Sequence, residues 1–100
     1  MDLQGKVVAI TGGARGIGRS IAEGFAARGA TLALIDLGAA ELEATHAALT
    51  GTGARVSVHT ANVAKEDQVC AALDAVVAEH GRLDVMINNA GILKDAQFIA

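Results

Sequence analysis

Directly after an apolar run, the sequence reads Thr11-Gly12-Gly13-Ala14-Arg15-Gly16-Ile17-Gly18, with glycines in a G-x-x-x-G-x-G pattern. The run Lys6–Ile10 predicts a strand, and the apolar spacing after the glycines predicts a helix. A strand that ends in glycines and leads into a helix is typical of a turn that holds a dinucleotide pyrophosphate. An ordinary tight strand-to-helix connection is the alternative.

The glycines of this turn have separate expected roles. Gly12 and Gly13 are expected to let the backbone leave the strand with dihedrals that other residues resist. Gly16 should let the backbone approach the cofactor, and Gly18 should let the helix pack closely. The unpaired N–H groups of the first helical turn then point at the phosphates. The predicted cradle comprises Gly12, Gly13, Ala14, Arg15, Gly16, Ile17 and Gly18.

The whole chain alternates between strand and helix patterns. The predicted strands are Lys6–Ile10, Thr31–Ile35, Arg55–Thr60 and Leu83–Asn88, and the predicted helices are Ile17–Arg28, Ala39–Leu49 and Lys65–His80. This order is typical of α/β proteins with a parallel sheet and right-handed crossovers. We therefore predict a partial, Rossmann-type doubly wound sheet of four strands in the order 3-2-1-4, with the switch point between the first and fourth strands.

Two predicted helices carry apolar stripes that should face this sheet. The stripes are Ile17, Ile21 and Phe25 in the first helix, and Val69, Leu73, Val76 and Val77 in the third. Cys70 lies in the third helix, where we expect it to pack in the core. His46, His59 and His80 fall on different elements, so each is expected to be an ordinary histidine with no shared site.

Composition narrows the classes of function. The chain has 100 residues, 52% of them apolar, and a formal net charge of −3. The charge gives no basic footprint for nucleic acid or an anionic membrane. We see neither a signal peptide nor an apolar run of the ~18–20 residues that span a membrane. The single cysteine excludes an intrachain disulfide and fits a reducing compartment, so we predict a cytoplasmic protein.

Asp36 ends the second predicted strand, 18 residues after Gly18. A carboxylate near this distance accepts hydrogen bonds from the adenosine ribose hydroxyls. A 2′-phosphate at the same place would meet like charge, which predicts NAD as the cofactor in preference to NADP. The neutral Leu37 agrees with this preference, whereas Arg15 opposes it because its guanidinium can reach a 2′-phosphate. A plain turn residue is the alternative for Asp36.

Two asparagine turns follow the third and fourth strands. Asn62 can hydrogen-bond the edge of adenine while Val63 packs on the ring, although a strand-end turn explains the same pair. In Asn88-Asn89-Ala90-Gly91, the two amides can tie neighbouring strand ends together, and Ala90-Gly91 lets the backbone approach a ribose. This position opposite the glycine turn favours a functional interpretation over a purely structural one.

The glycine turn at 11–18, Asp36, Asn62-Val63 and 88–91 together resemble the short-chain dehydrogenase/reductase family, and the similarity runs from Gly5 to the end of the chain. Residues 16–22 and 89–95 look most like 3-oxoacyl-thioester reductases and hydroxyacyl dehydrogenases. Asn62 agrees with some of these reductases, whereas Asp36 departs from those that use NADP. The resemblance implies that the glycine turn, Asp36, Asn62-Val63 and Asn89 contact the cofactor.

The resemblance also implies what lies elsewhere. Members of the family run to roughly 250 residues, and their catalytic Asn, Ser and Tyr-x-x-x-Lys would follow Ala100. This sequence contains no tyrosine, so we assign no catalytic residue and no metal ligand. We expect residues 1–100 to be the N-terminal, cofactor-binding part of one domain, inactive by itself. The complete enzyme is expected to form a homo-oligomer and to act on a small-molecule substrate.

Two other classes of protein remain as alternatives. Residues 13–20 match the P-loop pattern G-x-x-x-x-G-K-[ST] except that Arg19 replaces the lysine, a change that is not conservative in a tight phosphate cradle. A P-loop nucleotidase also leaves the 88–91 turn unexplained. The second alternative is a nucleotide-binding module without catalysis, because the sequence supports the site and lacks the catalytic groups.

Overall fold

In the computed structural model, which describes residues 2–14 and 16–89, four strands alternate with three helices. The elements are β1 (Val7–Thr11), α1 (Gly16–Ala27), β2 (Thr31–Asp36), α2 (Ala39–Thr50), β3 (Val56–Thr60), α3 (Glu66–His80) and β4 (Val85–Asn88). All seven predicted elements are present, with ends displaced by no more than two residues. The local apolar patterns were therefore sufficient to define the elements.

The four strands form one parallel sheet in the order β3-β2-β1-β4, which confirms the predicted topology. β1 pairs with β2 on one side and with β4 on the other, so that Val8 lies between Leu32 and Val85. The chain therefore moves outward through β2 and β3 and then crosses back to β4. The crevice at the carboxyl ends of β1 and β4 is the topological switch point, where open α/β sheets bind their ligands.

The alternating side chains of the strands build two separate apolar layers. On the α1/α2 face, Val8, Ile10, Leu32 and Leu34 pack with residues of α1 and α2. On the α3 face, Val7, Ala9, Ala33 and Ile35 pack with residues of α3. A sheet with helices on both faces needs apolar residues at successive strand positions, which explains the continuous runs in β1 and β2.

Three helix positions differ from the predictions. Ile17 is 72% exposed and Val77 is 45% exposed, although both belonged to predicted buried stripes. Cys70 is exposed as well, so the expectation of core packing was wrong. Ile17 lies in the first turn of α1, beside the glycine turn and beyond the sheet. On α3 the buried residues are Val69, Ala72 and Val76, and Cys70 points about 100° away from Val69.

Side chains also fasten the amino end of the β1–β4 pair. The carboxylate of Asp84 accepts the backbone N–H of Val7 at 2.8 Å and two N–H groups of Arg82, both at 2.8 Å. The hydrogen bond from Arg82, followed by that from Val7, lowers the pKa of Asp84 to about 2. The same pair raises the pKa of Arg82. Asp84 is therefore ionised throughout the physiological range of pH.

Candidate cofactor-binding site

The glycine turn combines left-handed backbone with tight packing. Gly12 and Gly16 have φ values of +69° and +60°, a conformation that side-chain-bearing residues resist. Gly13 does not share it, so its expected dihedral role was wrong. A Cβ at Gly13 would lie 3.0 Å from Leu34 Cδ2 and 3.1 Å from the carbonyl oxygen of Ile10. Packing against two strands is the reason for glycine there.

Gly18 and Gly16 differ in what surrounds them. A Cβ at Gly18 would collide with the carbonyl oxygen of Gly12 and would lie 3.0 Å from Asn89 Nδ2. The start of α1 therefore packs against the turn itself, closer than any side chain permits. A Cβ at Gly16 would meet nothing within 4 Å. The turn is closed where Gly18 lies and open where Gly16 lies.

Asp36 lies beside this turn, as its position at the end of β2 predicted. Its carboxylate accepts the N–H of Ala14 at 3.2 Å and the N–H of Leu37 at 2.7 Å. The first of these bonds joins the acidic side chain directly to the glycine turn across 22 positions of sequence. The Leu37 side chain is 62% exposed, so the position after the acid is free to accept other side chains.

Thr45 supports the turn from below, a role that the sequence analysis missed. The buried hydroxyl of Thr45, on α2, donates to the carbonyl oxygen of Ala14 at 2.6 Å. Leu42, Thr45 and Leu49 are the buried residues of α2. A threonine at a buried position of an apolar helical stripe was the available signal, because a buried hydroxyl must find a hydrogen-bond partner.

The asparagine turn after β3 is held at three atoms of Asn62. Its backbone N–H donates to Gln68 Oε1 at 2.7 Å, its carbonyl oxygen accepts the N–H of Lys65 at 2.9 Å, and its Oδ1 accepts the N–H of Ala64 at 3.0 Å. The strand-end turn is therefore present. Val63, the other predicted residue, packs partly buried at the edge of the apolar layer on the α3 face.

The amides at the end of β4 tie the switch point together, as expected. Thr11 Oγ1 donates to Asn88 Oδ1 at 3.0 Å, which joins the ends of β1 and β4. Asn89 Nδ2 donates to the carbonyl oxygen of Gly12 at 3.4 Å, which joins β4 to the glycine turn. Three of the predicted site residues, Arg15, Ala90 and Gly91, lie outside the described residues.

A second polar cluster lies on the α3 face, away from the switch point. Ser57 Oγ is 2.9 Å from His59 Nε2 and 2.9 Å from His80 Nε2. His59 and His80 thus share one hydrogen-bond partner, a contact that their spacing in the sequence did not suggest. Their separation of 21 positions hid the relation, because only the packing of α3 on β3 brings a helix end to a strand.

Residues 2–14 and 16–89 give little support to a metal site, a membrane span or a P-loop. No group of three or more His, Cys, Asp or Glu side chains is placed to hold a metal ion within this part of the chain. Its helices are also too short or too polar to cross a membrane. Arg19, which takes the place of the P-loop lysine, pairs with Glu23 at 3.3 Å on the outside of α1. This contact gives no support to the P-loop alternative.

The strand order, the helices on both faces and the glycine turn at the switch point define a Rossmann-type nucleotide-binding fold. Comparison with known proteins then identifies the family. The sequence profile described as "short chain dehydrogenase" matches residues 6–100. The chain belongs to the short-chain dehydrogenase/reductase family, whose members bind NAD(P).

Curated relatives include different enzymes of this family. D-threitol dehydrogenase of Mycolicibacterium smegmatis is 44% identical over 92 residues, which cover 92% of this chain and 35% of that protein. The 3-oxoacyl-[acyl-carrier-protein] reductase of Thermotoga maritima is 38% identical over 99 residues, which cover 99% of this chain and 40% of that protein. The chain thus spans between a third and two fifths of the length of these relatives.

Solved structures of the family show both forms of the cofactor. A metagenomic short-chain oxidoreductase in complex with NADP is 34% identical, with a TM-score of 0.84 over 90% of this chain and 41% of that one. NAD+-bound xylitol dehydrogenase is 29% identical, with a TM-score of 0.81 over 86% of this chain and 33% of that one. Because both cofactors occur among these structures, a preference for NAD or NADP must be argued from the residues of this chain.

Proposed function

We propose that this chain is the cofactor-binding part of an NAD-preferring dehydrogenase/reductase of a small-molecule substrate. The complete enzyme would transfer a hydride between nicotinamide and a carbonyl or secondary alcohol. A 3-oxoacyl or 3-hydroxyacyl thioester is the first substrate to test, since a reductase of that class is among the relatives. We further propose a cytoplasmic homo-oligomer whose catalytic groups lie outside residues 1–100.

The observation that carries the proposal is the contact between Asp36 and the glycine turn. The hydrogen bond from the N–H of Ala14 holds the carboxylate beside the proposed phosphate cradle. A ribose diol next to that carboxylate can donate two hydrogen bonds, whereas a 2′-phosphate would bring a second negative charge. The exposed Leu37 offers no positive charge to offset the repulsion.

Different residues of the chain would bind different parts of the cofactor. The open side of the turn at Gly16 gives room for a pyrophosphate, and the first N–H groups of α1 are the donors that helix geometry leaves unpaired there. Asp36 would hold the adenosine ribose, and Asn62 with Val63 would contact the adenine. Asn89 would keep the turn in place through its bond to Gly12.

The test is the cofactor preference of the protein that carries this chain. We expect Leu37→Arg combined with Asp36→Asn to raise the ratio of kcat/KM for NADP over NAD by about tenfold or more, because a charge-assisted bond replaces a repulsion. Asparagine keeps one of the two carboxylate oxygens as an acceptor, so it can retain the hydrogen bond from the N–H of Ala14 or that of Leu37, which use different oxygens in Asp36. Leu37→Gln with Asp36 retained is the control for a longer, neutral side chain.

Each possible result bears on a separate part of the proposal. A ratio that does not move would show that Asp36 does not lie at the ribose. Cofactor binding without turnover of 3-oxoacyl thioesters, ketones or polyols would favour the non-catalytic nucleotide-binding module. Failure to bind either dinucleotide would contradict the proposed function as a whole.

A further inference from the structure

Gln68 makes an unusual contact for a residue in the first turn of a helix. α3 begins at Glu66, and its N-cap residue Lys65 makes no side-chain capping bond. Gln68 does not turn back to that cap. Its Oε1 instead accepts the backbone N–H of Asn62, six positions earlier, at 2.7 Å. The bond links α3 to the turn that we assign to the adenine.

The neighbouring contacts determine which polar groups of this turn are available to a ligand. Three atoms of Asn62 are already paired with Gln68, Lys65 and Ala64. Two donors have no partner among the described residues, namely Asn62 Nδ2 and the backbone N–H of Val63. Adenine presents a ring-nitrogen acceptor, N1 or N7, beside its N6 amino group, so one of these donors can pair with a ring nitrogen at the edge of the base.

We infer that Gln68 is a positioning residue for adenine recognition, an inference that rests on the proposed function. By holding the N–H of Asn62, Gln68 fixes the peptide that precedes the two free donors. The neighbouring Ala61 N–H donates to the carbonyl oxygen of Asp36 at 2.9 Å, so the same peptide segment also abuts the proposed ribose site. Without the acceptor at position 68, the donors would lose their fixed direction.

Gln68 is suited to a clean test because its side chain is exposed. It lines an open cavity of about 440 Å³ between β3 and α3, together with His59, Thr60, Ala71, Ala72 and Ala75. Gln68→Leu keeps the approximate size and removes the acceptor, and the cavity accommodates the branched side chain. Gln68→Glu keeps an acceptor oxygen and serves as the rescue variant. Asp67→Asn, one position earlier on the helix, is the matched control.

The experiment compares NAD with its 1,N6-ethenoadenine analogue, in which an added ring covers N1 and N6 of the adenine. Dissociation constants are measured by calorimetry on the whole protein. We expect wild type, Gln68→Glu and Asp67→Asn to bind NAD more tightly than the analogue. Gln68→Leu should weaken NAD by about five- to tenfold, the value of about one hydrogen bond, and should change the analogue little.

The ratio of the two constants separates positioning from a general structural role. Equal weakening of both ligands in Gln68→Leu would overturn the inference, since a loosened helix would affect any dinucleotide. Equal binding of both ligands by the wild type would also overturn it while leaving the proposed function intact. Binding of neither ligand by the wild type would overturn the proposed function and this inference together.

Discussion

The two faces of the sheet differ in the size and polarity of their side chains. The α1/α2 face carries large aliphatic residues, including Ile10, Leu32 and Leu34, and packs against Leu42 and Leu49 of α2. The α3 face carries Ala9 and Ala33 at the neighbouring strand positions. It also carries the buried polar residues Thr11 and Ser57. The α1/α2 face is almost entirely aliphatic, whereas the α3 face mixes small and polar groups with the larger Val7 and Ile35.

This difference indicates a division of labour within one sheet. Burial of large aliphatic side chains is the main favourable term in folding, so the α1/α2 face should supply most of the stability. Polar side chains on the α3 face instead fix particular atoms, such as Thr11 Oγ1 against Asn88 Oδ1. Such bonds add little net stability and mainly determine geometry. The candidate site lies at the strand ends and draws on both faces, because Ala14 belongs to the layer on the α1/α2 face and Val63 to the layer on the α3 face.

The largest expected effect compares two isoleucines that are both fully buried. Ile10 lies in the layer on the α1/α2 face, and Ile35 lies in the layer on the α3 face. Substitution by alanine in a core costs about 2–5 kcal/mol, depending on how many neighbours lose contact. We expect Ile10→Ala near the upper end and Ile35→Ala near the lower end, in the free energy of unfolding by urea.

The isoleucine-to-valine variants at the same positions provide the control. Each removes one methyl group and should cost about 0.5–1.5 kcal/mol on either face. If Ile35→Ala proved as costly as Ile10→Ala, the α3 face would be packed as densely as the other, and the proposed division of labour would be wrong.

A smaller effect compares one buried hydroxyl on each face. Thr45→Val leaves the carbonyl oxygen of the buried Ala14 without its donor and should cost about 1–3 kcal/mol. Ser57→Ala should cost less than about 1 kcal/mol, because His59 and His80 are only half-buried and water can replace the hydroxyl. Thermal unfolding measures both, and Thr50→Val, at an exposed position of α2, is the control. A costlier Ser57→Ala would reverse the comparison.

The smallest effect is a dependence of stability on pH that only the α3 face should show. Burial lowers the pKa of His59, the charge of Glu79 opposes that shift, and His80 adds to it. Because the unfolded chain then binds this proton more readily, stability should fall as the pH drops below 6.5, the ordinary pKa of histidine, toward the lower pKa of His59 in the folded chain. We expect His59→Gln to flatten this limb in urea titrations between about pH 8 and 5.

His46→Gln is the matched control because His46 lies on α2, outside the serine-centred cluster. In this variant, the free energy of unfolding should fall as steeply on acidification as it does in the wild type. An equally steep decline in His59→Gln would show that the cluster does not account for it.

Local patterns predicted most of the fold but few of the partners. The apolar periodicity and the glycine turn defined all seven elements, and the reversal at β1 followed from known crossover rules. The position of Asp36 beside the turn also followed, since parallel strands end at one edge. The predicted burial of Ile17 was wrong, because apolar periodicity identifies the face of a helix but does not show where the sheet beneath that helix ends.

The missed contacts share one physical cause. Ser57 meets His80 and Thr45 meets Ala14 across 23 and 31 positions, through side chains whose partners depend on how helices dock. Gln68 accepts a hydrogen bond from Asn62, only six positions away, yet none of the known helix-capping patterns predicts this bond. A sequence shows which polar groups need partners. The packing of the elements decides which partners they find.

The fastening of β1 to β4 has a consequence for the order of folding. Asp84 binds the N–H of Val7 and Asn89 binds the carbonyl of Gly12, each across 77 positions. β1 can pair with β2 once the first β-α-β crossover, through α1, has formed, since Val7 lies beside Thr31. Its other edge must wait for the chain through residue 89 and for the closure of a much longer loop. During synthesis, the glycine turn thus leaves the ribosome well before β4 and must wait for Asn89 to gain its full set of bonds.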